Sequence, residues 1–254
     1  MGGLIAGGTD PADIVATVRR AERADELAKR HHGITAIAGE EEPENNKQAA
    51  TGAGVVILGV KPAGIADLAR EIGDSLAPDA IVISVAAAVS LEQLEAALPA
   101  GQPVIRTMPN TPAKLGRGVV SVSPGTHCSA AQLQLAKDIL AAAGTVVEIP
   151  EHQVDALSAI SGSGPAYAFY LAEAMADAGV ELGLDRKLSE LIARETVAGA
   201  GFMLAEPGAD PAALRKAVTS PNGTTERAIA TFGARGFPAI IADGARAAAE
   251  RAAE

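Results

Sequence analysis

Residues 54–60 read GVVILGV, an uninterrupted apolar run that decides the fold of the first half of the chain. Such runs are typical of strands in a parallel sheet that is covered by helices on both faces. A second run, IVISV, occupies residues 81–85, and each run is followed by a helical pattern. Because strand and helix alternate in this order, the sequence predicts an α/β domain built on a parallel sheet.

The alternation continues on both sides of these runs and then stops. It predicts further strands at 14–19, 103–107, 119–123 and 146–149, and helices at 21–33, 62–72, 91–98 and 129–143. After Pro150, Ala-rich segments broken by Gly and Pro predict helices at 165–178, 185–205, 210–218, 224–234 and 237–253. We therefore expect an α/β domain over residues 1–150 and an all-helical domain over residues 151–254.

The helical segments between residues 164 and 204 are apolar on more than one face, as in AYAFYLAEAMADAGV and LIARETVAGAGFML. A helix that is apolar nearly all round is buried, often against another subunit. The second domain is therefore expected to form a homodimer.

Composition excludes several classes of protein. The net charge is −10 and the chain has no long Lys/Arg run, which argues against nucleic acid or an anionic membrane as the main partner. The longest apolar runs have about ten residues, and a membrane span needs about 20. The single cysteine, Cys128, and the absence of a signal-peptide pattern at the start fit a cytoplasmic protein. No His, Cys and carboxylate cluster has the spacing of metal ligands, so we expect no metal site.

Three segments at predicted strand ends could contact a ligand: VKPA (60–63), SVAAAVS (84–90) and RTMPNTPA (106–113). Ligands of open parallel sheets bind at the carboxyl ends of the strands. Two of the segments also have a plainer interpretation. Lys61 with Pro62 fits a solvated lysine before an ordinary first-turn proline, and MPNTP fits a rigid loop.

In the second domain, SGSGPAY (161–167) and VTSPNGTTERAI (218–229) stand out. The small residues of the first allow close approach of another surface. The second predicts a helix start whose free N–H groups and hydroxyls could bind an anion. The alternative is that Thr224 or Thr225 simply caps its own helix.

Taken together, VKP, RTMPNTP, SGSGPAY and TSPNGTT resemble the pyrroline-5-carboxylate reductase family, whose members complete proline synthesis with NADPH. The resemblance covers essentially the whole chain, and LRKAVTSPNGTTERAI (214–229) is its most specific part. It implies a Rossmann-type domain, a helical dimerisation domain, and a homodimer that many members assemble further into a ring of dimers. The substrate would be a small molecule.

The start of the chain, MGGLIAGG (1–8), is typical of the end of a helix rather than of a first strand. Members of the family begin with a strand and a GxGxxG-type turn. The resemblance therefore implies that residues 1–254 lack the first strand and the phosphate-binding turn. A start assigned too far downstream and a genuine truncation both fit, and such a chain would bind NADPH poorly.

The resemblance also implies a set of cofactor residues. Arg19, assisted by Arg20, would meet the 2′-phosphate of NADPH, for which a guanidinium is well suited. Since no acid ends the second family strand, NADPH is favoured over NADH. Asn46 would touch the adenosine part. The residues that would line the rest of the cofactor site are Val60, Lys61, Pro62, Ala86, Ala87 and Asn110. Ala88 stands where the family usually has glycine.

On the substrate side, the resemblance implies that Ser220, Thr224 and Thr225 hold the pyrroline carboxylate. Thr225 would also hydrogen-bond the ring nitrogen and is the candidate catalytic residue. Glu151 matches an acid that contacts substrate in some members. Asn222 replaces the usual glycine, and asparagine tolerates positive φ better than most residues.

Two other functions remain as alternatives. Another NADP-dependent imine or keto-acid reductase would be expected to carry a catalytic lysine in the helical domain. The lysines there, Lys187 and Lys216, lie in RKLSE and LRKAV, which are not such a motif. A truncated, non-catalytic homologue is the second alternative.

Overall fold

The computed structural model describes residues 2–42 and 44–253. Its strands are β1 (Val15–Val18), β2 (Thr35–Ala38), β3 (Val55–Leu58), β4 (Ile81–Ser84), β5 (Val104–Pro109), β6 (Gly118–Pro124) and β7 (Gly144–Glu148). All the predicted strands are present. The prediction omitted β2 and the short helix that follows it.

The helices are α1 (Gly2–Ala6), α2 (Ala21–Arg30), α3 (Asn45–Ala50), α4 (Ile65–Ile72), α5 (Leu91–Ala97), α6 (Ala130–Leu140), α7 (Val154–Leu157), α8 (Gly164–Glu181), α9 (Arg186–Leu204), α10 (Pro211–Ala217), α11 (Thr224–Ala234) and α12 (Phe237–Ala253). A single turn of π-helix, Ser158–Gly162, which we call the π-turn, follows α7. None of the helices in the described residues is long and apolar enough to span a bilayer.

Residues 2–9 form the helix end that the sequence predicted, and Met1 lies outside the described residues. The N–H of Gly8 donates to the carbonyl of Ile5, and the N–H of Thr9 donates to the carbonyl of Leu4. This pair of hydrogen bonds, with Gly8 at φ 98°, is a Schellman motif. The chain then turns into β1.

The strands form two sheets, one of order β1-β2 and one of order β3-β4-β5-β6-β7. The expected parallel pairing is found between β1 and β2, between β3, β4 and β5, and between β6 and β7. The exception is β6, which runs antiparallel to β5. The turn at Thr111–Leu115 is too short for the crossover that parallel strands need, so this part of the prediction was wrong.

The core lies on both faces of the five-stranded sheet. One face packs Leu58, Val82 and Val104 against α4 and α5, with Ile65 and Leu94 fully buried. On the other face, Ala136 and Leu140 of α6 pack against buried strand residues, which are Ile81, Ile83, Ile105, Val120 and Val122. Cys128 packs against this second cluster, and burial raises the pKa of its thiol.

The chain divides into two compact units, and the break in its contacts lies between Gly162 and Ser163. Residues 151–162 belong to the first unit because they bind Arg106 in strand β5 and Asn110, which directly follows that strand. Glu151 pairs with Arg106, and Asn110 donates to Ser161. Helices α8 to α12 make up the second unit.

Candidate cofactor and substrate sites

Two parallel strands bring together the expected walls of a cofactor channel. The N–H of Val85 donates to the carbonyl of Leu58 at 3.1 Å, so the chain leaving β3 runs beside the chain leaving β4. The residues that follow these strands are Val60, Lys61 and Pro62 after β3, and Ala86 and Ala87 after β4. Pro62 opens the turn into α4, with Lys61 at its cap position. Within the described part of the chain, the exposed Lys61 makes no ion pair.

Ala88, at the tip of the loop after β4, has a left-handed backbone with φ 58°. This conformation costs an L-residue other than glycine roughly 1–2 kcal/mol, because Cβ approaches the following carbonyl oxygen. Alanine thus occupies a position whose geometry favours glycine.

Arg19 and Arg20 follow β1 directly, and Arg20 is the cap residue of α2. Both are exposed, and across residues 2–42 and 44–253 neither guanidinium forms an ion pair. The carboxylate of Glu40 lies close to this strand end, although the sequence predicted no acid there. It accepts a hydrogen bond from the N–H of Ala21, the residue after Arg20, at 3.3 Å. Two exposed guanidinium groups that form no ion pair at a strand end suit a phosphate group.

Asn46 does not lie at the ends of the strands. Its Nδ2 donates to Glu71 of α4 at 3.0 Å. The neighbouring Asn45 is the one that is buried, and its Nδ2 donates to the carbonyls of Val18 and Ile37 at the ends of β1 and β2. Sequence reasoning missed Asn45 because it missed α3, whose register decides which of the two side chains points inward.

Asn110 joins three segments. Its Oδ1 accepts from the N–H of Val119 at 2.9 Å, and its Nδ2 donates to the carbonyl and hydroxyl oxygens of Ser161. The amide thereby ties the end of β5 to the start of β6 and to the π-turn. Its hydrogen-bonding groups are engaged inside the protein.

Glu151 is likewise engaged. Its Oε1 accepts from the N–H of Leu91 at 2.6 Å and from Nη1 of Arg106 at 2.8 Å. Arg106 is only 8% exposed and lies in β5. A buried cation requires a partner. The position of Arg106 within a predicted buried strand therefore indicated that a partner such as Glu151 must lie nearby, and the sequence analysis did not use this indication.

In the second unit, the loop before α11 forms a turn with free polar groups. The N–H of Gly223 donates to the carbonyl of Ser220, and Asn222 has φ 60°. The cap of α11 is Gly223, which provides no side-chain acceptor, so neither Thr224 nor Thr225 caps the helix. In the described residues, no hydrogen bond engages the hydroxyls of Ser220, Thr224 and Thr225. The first turn of α11 therefore presents hydroxyls and unpaired N–H groups together.

Several large apolar side chains of the second unit are exposed in the single chain. Phe169, Tyr170 and Phe202 are 68%, 72% and 67% exposed. Large apolar side chains with this exposure are candidates for an interaction surface.

Comparison with known proteins places the chain in a family. Residues 151–254 match the family described as pyrroline-5-carboxylate reductase dimerisation, and residues 1–88 match the family described as NADP oxidoreductase coenzyme F420-dependent. A pyrroline-5-carboxylate reductase of Pseudomonas aeruginosa is 41% identical over 100% of this chain and 91% of its own length. The chain belongs to the pyrroline-5-carboxylate reductase family. The corresponding protein of Corynebacterium melassecola is 40% identical over 99% of this chain and 92% of its own length.

A solved pyrroline-5-carboxylate reductase structure from Coxiella burnetii superposes with a TM-score of 0.91, at 35% identity, over 99% of this chain and 91% of that one. These matches confirm the predicted fold class, a Rossmann-type domain followed by a helical dimerisation domain. They do not favour the other reductase classes or the non-catalytic homologue.

Proposed function

We propose that this chain reduces 1-pyrroline-5-carboxylate to L-proline with NADPH, the last step of proline biosynthesis. Membership of the reductase family supports the reaction. The single structural observation that carries it is the open first turn of α11, where Ser220, Thr224 and Thr225 keep their hydroxyls free beside unpaired N–H groups. The positive end of a helix dipole attracts a carboxylate.

The substrate residues act by binding and orientation. The N–H groups at the start of α11 and the hydroxyls of Ser220 and Thr224 would hold the carboxylate. Thr225, one residue further along the helix, would donate its hydroxyl to the ring nitrogen or share the carboxylate. We leave Glu151 out of this set because its Oε1 already accepts two hydrogen bonds.

The residues at the strand ends fit a dinucleotide phosphate. Arg19 and Arg20 would meet the 2′-phosphate, which favours NADPH over NADH. Val60, Lys61 and Pro62 would form one wall of the channel, and Ala86 and Ala87 the other. Asn46 and Asn110 act in this proposal by fixing α3 and the π-turn. When bound, the reduced nicotinamide supplies the hydride for the imine carbon, and the protein supplies orientation and electrostatics.

The second unit would form the homodimer, in agreement with the dimerisation family that it matches. Its exposed aromatic residues are the surface available for a second copy. A ring of such dimers is the larger assembly that we propose.

The test is to incubate the purified protein with pyrroline-5-carboxylate and NADPH, follow the loss of NADPH absorbance, and identify proline by mass spectrometry. Equimolar proline and oxidised cofactor would support the proposal. Reduction of 2-keto acids by NADPH without any turnover of pyrroline-5-carboxylate would refute it.

A further inference from the structure

The loop between β4 and α5, residues 85–90, is held at both ends by two consecutive residues of β5. Ala86 and Val89 are buried within it, and its tip, Ala87 with the left-handed Ala88, is exposed. A non-glycine residue in this conformation persists only where the surrounding structure imposes it. Ala86 and Val89 contribute by packing into the core, and the hydrogen bonds that could impose the conformation lie at the two ends of the loop.

Thr107 holds the first end. Its hydroxyl donates to the carbonyl of Ser84 at 2.9 Å, and both residues are almost fully buried. The Ser84 hydroxyl in turn accepts from the N–H of Ala86. The exit from β4 is thus fixed from the side of β5.

Arg106 holds the second end through Glu151. The Glu151 carboxylate oxygen that pairs with Arg106 also accepts from the N–H of Leu91, the first residue of α5. Arg106 is a buried cation, so the pair cannot separate without leaving a charge uncompensated. The entry to α5 is therefore fixed relative to the same strand.

We propose that Arg106, Glu151 and Thr107 are positioning residues that together hold the loop in its strained form, and that this form is the one that binds the cofactor. Only the claim that this form of the loop binds the cofactor rests on the proposed function. The clamp itself is a property of the free protein. Because the loop is short and its tip is strained, releasing one end shifts the whole loop.

The first arm of the test measures amide hydrogen exchange in the free protein. Glu151→Ala releases the end at α5, and exchange should accelerate by about tenfold or more at Ala86, near the opposite end, because the substitution removes both charge-assisted hydrogen bonds that the Glu151 carboxylate accepts. Thr107→Val releases the end at β4 and should accelerate exchange at Val89. Glu148→Ala, which breaks the exposed pair with Lys137, is the matched control and should leave both amides unchanged.

The second arm measures NADPH binding and kinetics. Glu151→Ala should raise the Kd and KM for NADPH by about tenfold and leave kcat nearly unchanged. In an Ala88→Gly background the tip of the loop is no longer strained, so the loop depends less on its two ends. In this background Glu151→Ala should raise the Kd for NADPH by less than about threefold. Glu151→Gln, which keeps an acceptor for Leu91 and folds more readily, should give an intermediate loss.

The two arms separate the clamp from the proposed function. Faster hydrogen exchange confined to the released end of the loop would overturn the clamp. The clamp would also be overturned if Glu151→Ala caused the same loss of NADPH affinity in the parent and in the Ala88→Gly background. Cross-end acceleration in a Glu151→Ala protein whose NADPH affinity equals that of the parent would support the clamp and overturn the proposed cofactor role of the loop.

Discussion

The N–H of Asn222 donates to a carboxylate oxygen of Glu226 at 2.8 Å, which fastens the turn before α11 to the first turn of that helix. The preceding hydrogen bond from Gly223 to Ser220, with Pro221 and the left-handed Asn222 in between, has the pattern of a type II turn. Proline and asparagine suit the second and third positions of such a turn. The free hydroxyls are thus displayed by a preorganised loop.

Substitutions at Asn222 should follow this geometry. Asn222→Gly should leave the unfolding temperature unchanged or slightly higher, because glycine adopts positive φ without strain. Asn222→Val should lower stability by about 1–2 kcal/mol, because a β-branched residue is a genuine outlier there. Thermal unfolding of both variants measures the difference. Equal stability of the valine variant and the parent would contradict the assigned turn.

Thr225 is expected to matter for ligand binding and not for assembly. Thr225→Val removes one hydroxyl with little change in volume, so proline binding should weaken by roughly 1.5–3 kcal/mol, the range for a hydrogen bond to a charged group. Calorimetric titration with proline gives the affinity, and light scattering checks the dimer. Thr231→Val in the same helix is the control, since that hydroxyl only binds the carbonyl of Arg227. Matching affinities for the two variants would remove Thr225 from the site.

Arg19 should discriminate between the two nicotinamide cofactors. Arg19→Ala should weaken NADPH by about tenfold or more and NADH little, because only NADPH carries a 2′-phosphate. Arg23→Ala is a suitable control. Its guanidinium is already paired with Glu26, and this hydrogen bond lowers the pKa of that carboxyl. If both cofactors weaken equally, Arg19 serves the fold instead.

The exposed aromatic residues of the second unit predict where the dimer forms. Phe169→Asp places a charge in a surface that we expect to be buried between two copies, so the protein should become monomeric at micromolar concentration. Leu115→Asp is the control, because Leu115 is even more exposed, at 81%, and lies in the first unit. Light scattering of both variants decides the matter. A Phe169→Asp protein that stays dimeric would place the interface elsewhere.

Elements with a strong apolar pattern could be predicted from the sequence, and those without one could not. The sequences of β3 (VVIL) and β4 (IVIS) lie in apolar runs, and most helices of the second unit are long. Strand β2 (TAIA) is as short as these strands but has one large apolar side chain, and α3 has six residues and follows an acidic loop, so neither gave a recognisable pattern. Consequently the sequence did not indicate that Asn45 faces inward, and the cofactor role of Asn46 stays a prediction.

The site shows a similar limit. The helix start at Thr224 and the positive φ at Asn222 could be foreseen, because both depend on local backbone preferences. The partners of Glu151 and the contact of Asn110 with Ser161 could not be foreseen. These contacts join residues 45 to 60 positions apart for Glu151 and 51 positions apart for Asn110 and Ser161. Contacts across such separations depend on the packed fold, which a single sequence does not display.

The packing of Cys128 against the core has a practical consequence. Only the thiolate reacts with alkylating reagents, and burial raises the pKa of this thiol, so the folded protein holds less thiolate than the unfolded chain at the same pH. Alkylation near neutral pH should therefore be slower in the native protein than in urea. Since the chain has one cysteine, every label attaches at a single position. The ratio of the rates in buffer and in urea therefore reports how far the fold suppresses the reactivity of this one thiol.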